Sequence, residues 1–331
     1  MSTPPTRCAV IGVGHLGKWH AAKYAQLSNV DLVAVADSNA AQAREVASRH
    51  GCEAVFDHRH LLGRVDAVSI ATPTTLHYAI ARDFLDVGCH VLVEKPITTT
   101  IEEAVALNQL ARERGVVLQV GHLERFNAAL QRLLERPMDP RFIESHRLAP
   151  FKPRATDVSV VLDLMIHDID IILELVDAPL TDVHASGARI LTGDIDIANA
   201  RLEFENGCVA NVTSSRVSTK SDRRMRIFQP HGYASVDFQN RILALHHLGD
   251  AHLQTGVPEI HSEEWIFDDA DALLAEIQAF VGAVRGEGPV IVSGFAGQQA
   301  LEAATRITDL VYANLNTMTK AVKPSHAGDQ Q

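Results

Sequence analysis

The chain has 331 residues, enough for two domains, of which 46% are hydrophobic and 21% charged, the balance of a globular protein. Its net charge of −11 excludes a general nucleic-acid binder, which needs a positive surface to displace counterions. No run of about 18 uncharged apolar residues is present to span a bilayer. MSTPPTRCAVIGVG has no basic segment ahead of a long apolar one, so a cytoplasmic protein with no membrane partner is expected.

Cys8, Cys52, Cys89 and Cys208 are scattered and imply reduced thiols rather than a disulfide framework or a zinc site. Residues 7–121 alternate short apolar runs with helical patterns. CAVIGVG leads to a helix near 15–27, DLVAVAD to one near 39–50, DAVSIATP to one near 76–87 and HVLVEKP to one near 100–114, and VVLQVGH closes the series. Runs that are apolar on both faces belong to a parallel sheet buried between helix layers.

After Gly121 the pattern changes. ERFNAALQRLLER predicts a helix, RFIESHRLAPF a strand and 159–176 a second helix. Strands are expected at 181–192, 196–205, 208–217, 223–229, 232–238 and 241–247, joined by turn signals such as ENG that favour antiparallel hairpins. Helical patterns near 270–285 and 294–314 follow, then the polar tail KAVKPSHAGDQQ, expected to fray. The expected architecture is α/β: a doubly wound parallel sheet over 1–121 and an α+β domain with a mostly antiparallel open sheet over 122–331.

VIGVGHLGKWH places Gly12, Gly14 and Gly17 in GxGxxG spacing between a strand and a helix, the Rossmann fingerprint for a dinucleotide. The glycines allow a tight turn, close approach of a pyrophosphate, and close strand–helix packing, and the helix N-terminus faces the phosphates. His15 and Leu16, inside the motif, join them as expected cofactor contacts. Asp37, 20 residues past Gly17 at the end of the next strand, is placed to accept from ribose hydroxyls. Ser38, Asn39 and Ala40 follow it with no arginine for a 2′-phosphate, which favours NAD over NADP.

VLVEKP ends a strand with Glu94, Lys95 and Pro96, and Pro96 keeps Lys95 out of helical geometry. Its amine is then expected at the carboxyl end of the sheet, where open α/β sheets bind ligands. In SVVLDLMIHDIDIILELV, Leu162, Met165, Ile166, Ile169, Ile172, Leu173 and Val176 recur at core spacing. Asp163, His167, Asp170 and Glu174 form a second stripe, with Asp163 one turn from His167. That stripe reads as a solvated face, as a metal set of Asp163, His167 and Asp170, or as the wall of a site.

Together the glycine fingerprint, ATPTTLH, EKP and the downstream D-x-x-x-H-x-x-D resemble the Gfo/Idh/MocA family of sugar and inositol dehydrogenases, in order and over nearly the whole chain. The resemblance implies that Lys95, Asp163 and His167 are the catalytic group and that no metal is needed. It implies that Thr72, Pro73, Thr74 and His77 run along the cofactor with Glu94 and Lys95; for His77 alone, a helix-start role is the other reading. On this reading His167, a side chain that titrates near neutrality, removes a hydroxyl proton as hydride leaves the same carbon for NAD. Lys95 stabilises the developing alkoxide, and Asp163 orients His167.

VGHLERFNAAL is similar to the GHxERFNP segment of the family's UDP-N-acetylglucosamine 3-dehydrogenase branch, although Ala128 replaces its proline and Met165 stands where the family has a small residue. This implies a nucleotide-sugar substrate oxidised at its 3-hydroxyl, with Glu124, Arg125 and Asn127 at the sugar. A downstream aminotransferase in lipid A or glycan synthesis and a homodimer or homotetramer are implied with it. The cluster Arg216, Lys220, Arg223, Arg224 and Arg226 suits a diphosphate, with Arg216 and Arg223 as substrate contacts; a charged, solvated β-edge is the competing reading. Three alternatives remain: a dehydrogenase of a free sugar or inositol, a non-catalytic NAD sensor, and a metal-dependent lyase or hydrolase.

Overall fold

The computed structural model describes residues 4–152, 158–252 and 258–321. They fall into two compact units, 1–131 with 268–301, and 132–267 with 302–331.

In the first unit β1 (Thr6–Ile11), β2 (Val30–Ala36), β3 (Glu53–Val55), β4 (Ala67–Ile70), β5 (His90–Glu94) and β6 (Leu118–Gly121) form one sheet in the order β3-β2-β1-β4-β5-β6. Every pairing is parallel. This is the doubly wound Rossmann order, which reverses direction between β1 and β4 and leaves a crevice at their carboxyl ends. The crossover helices are α1 (Gly17–Tyr24), α2 (Ala40–His50), α3 (His77–Asp86) and α4 (Ile101–Arg114), and α5 (Ala128–Leu134) follows. Local chemistry sets their ends: Asn39 caps α2, a Thr100–Glu103 capping box opens α4, and Gly51 and Gly115 close α2 and α4 in the left-handed conformation.

In the second unit β7 (Phe142–Leu148), β8 (Leu180–Ala188), β9 (Ile197–Phe204), β10 (Val209–Ser215), β11 (Asp222–Gln229), β12 (Gly232–Asp237), β13 (Ile242–His252) and β14 (Pro258–Ile266) form one sheet, in the order β14-β13-β12-β11-β7-β10-β9-β8. Its pairings are antiparallel except β7 with β10. Alternate residues Ala198, Ala200, Leu202 and Phe204 of β9, and Met225 and Ile227 of β11, are buried, so one face of the sheet is apolar. Against β7 and β10 packs α6 (Ile166–Val176), entered through a π-helical turn over Val161–Met165.

The last two helices are α7 (Ala272–Val284) and α8 (Gly294–Ala321). The compact units divide the chain differently from the single cut expected after Gly121: α5 starts inside the first unit and the chain returns to it at Asp268. The cause is apolar packing: Ile277, Phe280 and Val281 of α7 belong to the same buried cluster as Cys8, Val10, Tyr24, Val35 and Leu92. Two strands were not anticipated, β3 and β14. Of the tail expected to fray, 322–331 lie outside the described residues. Among the described residues, no helix is long and apolar enough to cross a membrane.

Candidate active site

The crevice between β1 and β4 is a cleft of about 480 Å³ lined by Gly12, Gly14, Asp37, Ala71, Thr72 and Pro73, among others. The three glycines do different work. Gly12 has φ +81°, and a Cβ there would meet Thr72 Cγ2 at 2.8 Å; a Cβ on Gly17 would lie 1.8 Å from the Gly12 carbonyl oxygen. Gly14 is open, with only the Gln42 amide at 3.9 Å, so its missing side chain leaves room for a ligand rather than for protein.

Asp37 serves the loop as well as the ribose expected there. Its carboxylate accepts from the Val13 N–H at 2.9 Å and the Asn39 N–H at 2.8 Å. Gln42, which sequence reasoning missed, donates to the Val13 carbonyl at 2.6 Å, so the Val13 residue is clamped at both its N–H and its C=O. Thr72 Oγ1 is buried without a hydrogen-bond partner among the described residues. An orphaned hydroxyl, an open Gly14 and an acid at the end of β2 fit a dinucleotide. His15 and Leu16 lie exposed in the same turn.

Lys95 follows β5 and is half-buried, and the Lys95–Pro96 peptide is cis. Glu94 behind it accepts from His20 Nε2 of α1 at 2.9 Å. His77 is buried and its two ring nitrogens lie 2.9 Å from the carbonyls of Pro96 and Thr72, which ties the loop after β4 to the loop after β5. Burial lowers its pKa, against the pull of the two carbonyls. His77 is therefore a buried clamp between loops, while Pro73 is exposed and Thr74 half-buried beside it. His20 escaped sequence reasoning because only the fold brings α1 against the end of β5.

In the second unit Asp163 sits in the π-helical turn and His167 in the first turn of α6, both half-buried. The expected stripe divides: Asp170 is buried and Glu174 exposed. Met165 is buried in the core. Asp168, read as neither core nor site, is buried in a two-pronged ion pair with Arg147 of β7, at 2.9 Å on each prong, and that pair anchors α6 to the sheet.

Of the expected substrate contacts, Arg125, Asn127 and Arg216 are buried. Arg125 is 2% exposed and donates to the Ile291 carbonyl at 3.3 Å. The Asn127 side chain accepts from the Ala129 N–H and starts α5; Glu124 is half-buried. Arg216 is 6% exposed and donates to the Val158 carbonyl. The basic cluster is not one patch. Arg224 pairs with Asp237 and Arg226 with Glu144, on the face opposite Met225 and Ile227, while Arg223 and Lys220 are exposed. Nor is it a β-edge, since β11 lies between β12 and β7.

Known proteins share this fold. Residues 6–122 match the NAD-binding Rossmann-fold domain of the Gfo/Idh/MocA oxidoreductase family, and residues 135–235 its C-terminal domain. The UDP-N-acetylglucosamine 3-dehydrogenase of Acidithiobacillus ferrooxidans is 46% identical over 93% of this chain and 98% of its own. A solved structure of that enzyme superposes with a TM-score of 0.87 at 44% identity, covering 95% of this chain and all of the other. The scyllo-inositol 2-dehydrogenase (NAD(+)) of Bacillus subtilis is 32% identical over 64% of this chain and 68% of its own. With both domains matched and the fingerprint cleft in place, the chain belongs to the Gfo/Idh/MocA family of NAD-binding oxidoreductases.

Proposed function

We propose that the protein is an NAD-dependent dehydrogenase that oxidises the 3-hydroxyl of UDP-N-acetylglucosamine to a ketone. The observation that carries this reading is the 46% identity to a UDP-N-acetylglucosamine 3-dehydrogenase over nearly the full length of both chains. NAD, when bound, supplies the hydride acceptor; Gly12, Gly14, Gly17, Asp37 and Thr72 hold it. Lys95 donates a hydrogen bond to the substrate hydroxyl and stabilises charge that develops on its oxygen. His167 takes the hydroxyl proton, and Asp163 orients the imidazole and favours its charged form. Arg223 and Lys220, two exposed members of the basic cluster, are the cations assigned to the substrate's diphosphate.

A 3-keto sugar nucleotide is the substrate an aminotransferase needs, so amination on the way to lipid A or a related glycan is the proposed next step. We place the protein in the cytoplasm, as its four free cysteines suit, and expect a homodimer or homotetramer. The identity to an inositol dehydrogenase favours a second reading, oxidation of a free cyclitol or sugar.

One experiment separates the two. Purified protein is mixed with NAD and UDP-N-acetylglucosamine, UDP-glucose, glucose or myo-inositol, with a carbonyl trap, and NADH absorbance is followed. Turnover with UDP-N-acetylglucosamine alone is expected; turnover with myo-inositol alone would replace the proposal by the second reading. Lys95→Ala and His167→Ala should each lower kcat by about 10²–10⁴-fold, and near-normal turnover in both would remove the catalytic assignment.

A further inference from the structure

Behind Lys95 the first unit gathers three ionisable groups from three elements: His20 of α1, Glu94 at the end of β5 and Glu276 of α7. His20 is 1% exposed and Glu276 0%, and each of the three offers an atom within 4.8 Å of the other two. Glu94 is already engaged. It accepts from His20 Nε2 and from the Lys95 backbone N–H, and the Lys95 ammonium acts on it through space. Glu276 is held by its backbone, whose carbonyl accepts from Gln119 Nε2 of β6 at 3.4 Å. Neither of its carboxyl oxygens has a hydrogen-bond partner among the described residues. Two carboxylates this close in a dry core cannot both keep their charge; one of them holds a proton.

We propose that Glu276 is a positioning residue for Lys95: a buried carboxylic acid that acts through the Glu94–His20 pair by keeping a second negative charge from the space behind the ammonium. The proposal rests on the reading of Lys95 as the group that holds the substrate hydroxyl. Burial, and then the charge on Glu94, push Glu276 well above the usual carboxylate range. Burial also pushes Glu94 up, but His20 and Lys95 outweigh it and keep that carboxyl below its usual value. The groups facing Glu276 are His20 and Tyr24 from α1, Glu94 at the end of β5 and Gln119 from β6, with Lys95 reached through Glu94. Tyr24 stays neutral, its hydroxyl buried against Ser69 at 2.7 Å. As the solution becomes alkaline, Glu276 gives up its proton. The second negative charge then opposes loss of the proton on Lys95 and extends the range over which the ammonium survives.

Two measurements on the full chain test this. In the infrared, wild type minus Glu276→Gln at neutral pH should show one carboxylic-acid carbonyl band, shifted by carbon-13 glutamate in the wild type and fading as pH rises. In kcat/KM against pH, Glu276→Gln should move the alkaline limb toward lower pH by about half a unit or more, because one unit reflects only about 1.4 kcal/mol of charge interaction. Glu276→Asp should restore both the band and the limb. The proposal is overturned if the wild type lacks the band, or if Glu276→Gln lowers kcat at every pH without moving the limb. It is overturned equally if purified wild type carries stoichiometric divalent metal that Glu276→Gln loses. The band is independent of turnover: no activity on UDP-N-acetylglucosamine with the band present would defeat the proposed substrate and leave the buried acid standing.

Discussion

At the residue scale, Gly14 and Gly17 make opposite predictions although they stand in one motif. A methyl on Gly17 would sit 1.8 Å from the Gly12 carbonyl oxygen, so Gly17→Ala must push strand and helix apart and should cost about 1–3 kcal/mol of stability, as overpacking does. Gly14→Ala meets only the Gln42 amide at 3.9 Å, so its melting temperature should stay within a few degrees of wild type while its Kd for NAD rises tenfold or more. A thermal melt and an NAD titration on the two variants check this; equal effects on both readouts would remove the distinction.

Asp196 offers a second test at this scale. Burial works against its charge, but the backbone N–H groups of Ile190, Leu191 and Thr192, at 2.6–2.9 Å, and the Thr192 hydroxyl hold its pKa down to about 2. A folded-state pKa below the unfolded value near 3.9 gives stability that is present above about pH 4 and lost as pH falls toward 2, roughly 2 kcal/mol in all. Asp196→Asn should therefore be about that much less stable than wild type in urea at pH 7, and the difference should shrink at pH 2.

Among the elements, α6, which carries His167 and follows the turn that carries Asp163, is fixed by a pair that lies outside both of the expected stripes. Arg147 and Asp168 are 3% and 1% exposed, and a buried charge that loses its partner is left uncompensated. Arg147→Met should destabilise the protein by about 3–5 kcal/mol, and the double variant Arg147→Met/Asp168→Leu should regain much of that. Urea midpoints decide it, and an additive double variant would show that the pair does not act as a unit.

Gly12, Gly14, Gly17, Asp37 and Glu94–Lys95–Pro96 are legible in the sequence because each stands in a short pattern at the end of an apolar strand run. The sequence could not announce that Asp168 meets Arg147, which lies 21 residues away on a strand, or that Arg125 and Arg216 are enclosed. Charge is visible in a sequence, but enclosure is a property of the packed unit. β3 has only three residues, too few for a period to show. β14 reads as polar because, as one of the sheet's two edge strands, it carries Glu259, Glu263 and Glu264, the charges that keep an edge from pairing with another chain.

For the molecule as a whole, the return of the chain at Asp268 changes what counts as the NAD-binding unit. The alternation of strands and helices suggests that everything needed ends at Gly121. Yet Ile277, Phe280 and Val281 of α7 are buried in the first unit's core. Burying side chains of this size stabilises by about 1.5–3 kcal/mol each, so removing all three forfeits roughly 5–9 kcal/mol. A whole domain is stable by only about 5–15 kcal/mol, and the loss also exposes a contiguous apolar face. A fragment ending at Gly121 should therefore show no cooperative thermal transition and no NAD binding. Residues 1–131 joined through a flexible linker to 268–301 should recover both, followed by circular dichroism on heating and by NAD titration. A cooperative melt and normal NAD affinity in the short fragment would mean that α7 merely rests on the first unit and does not complete it.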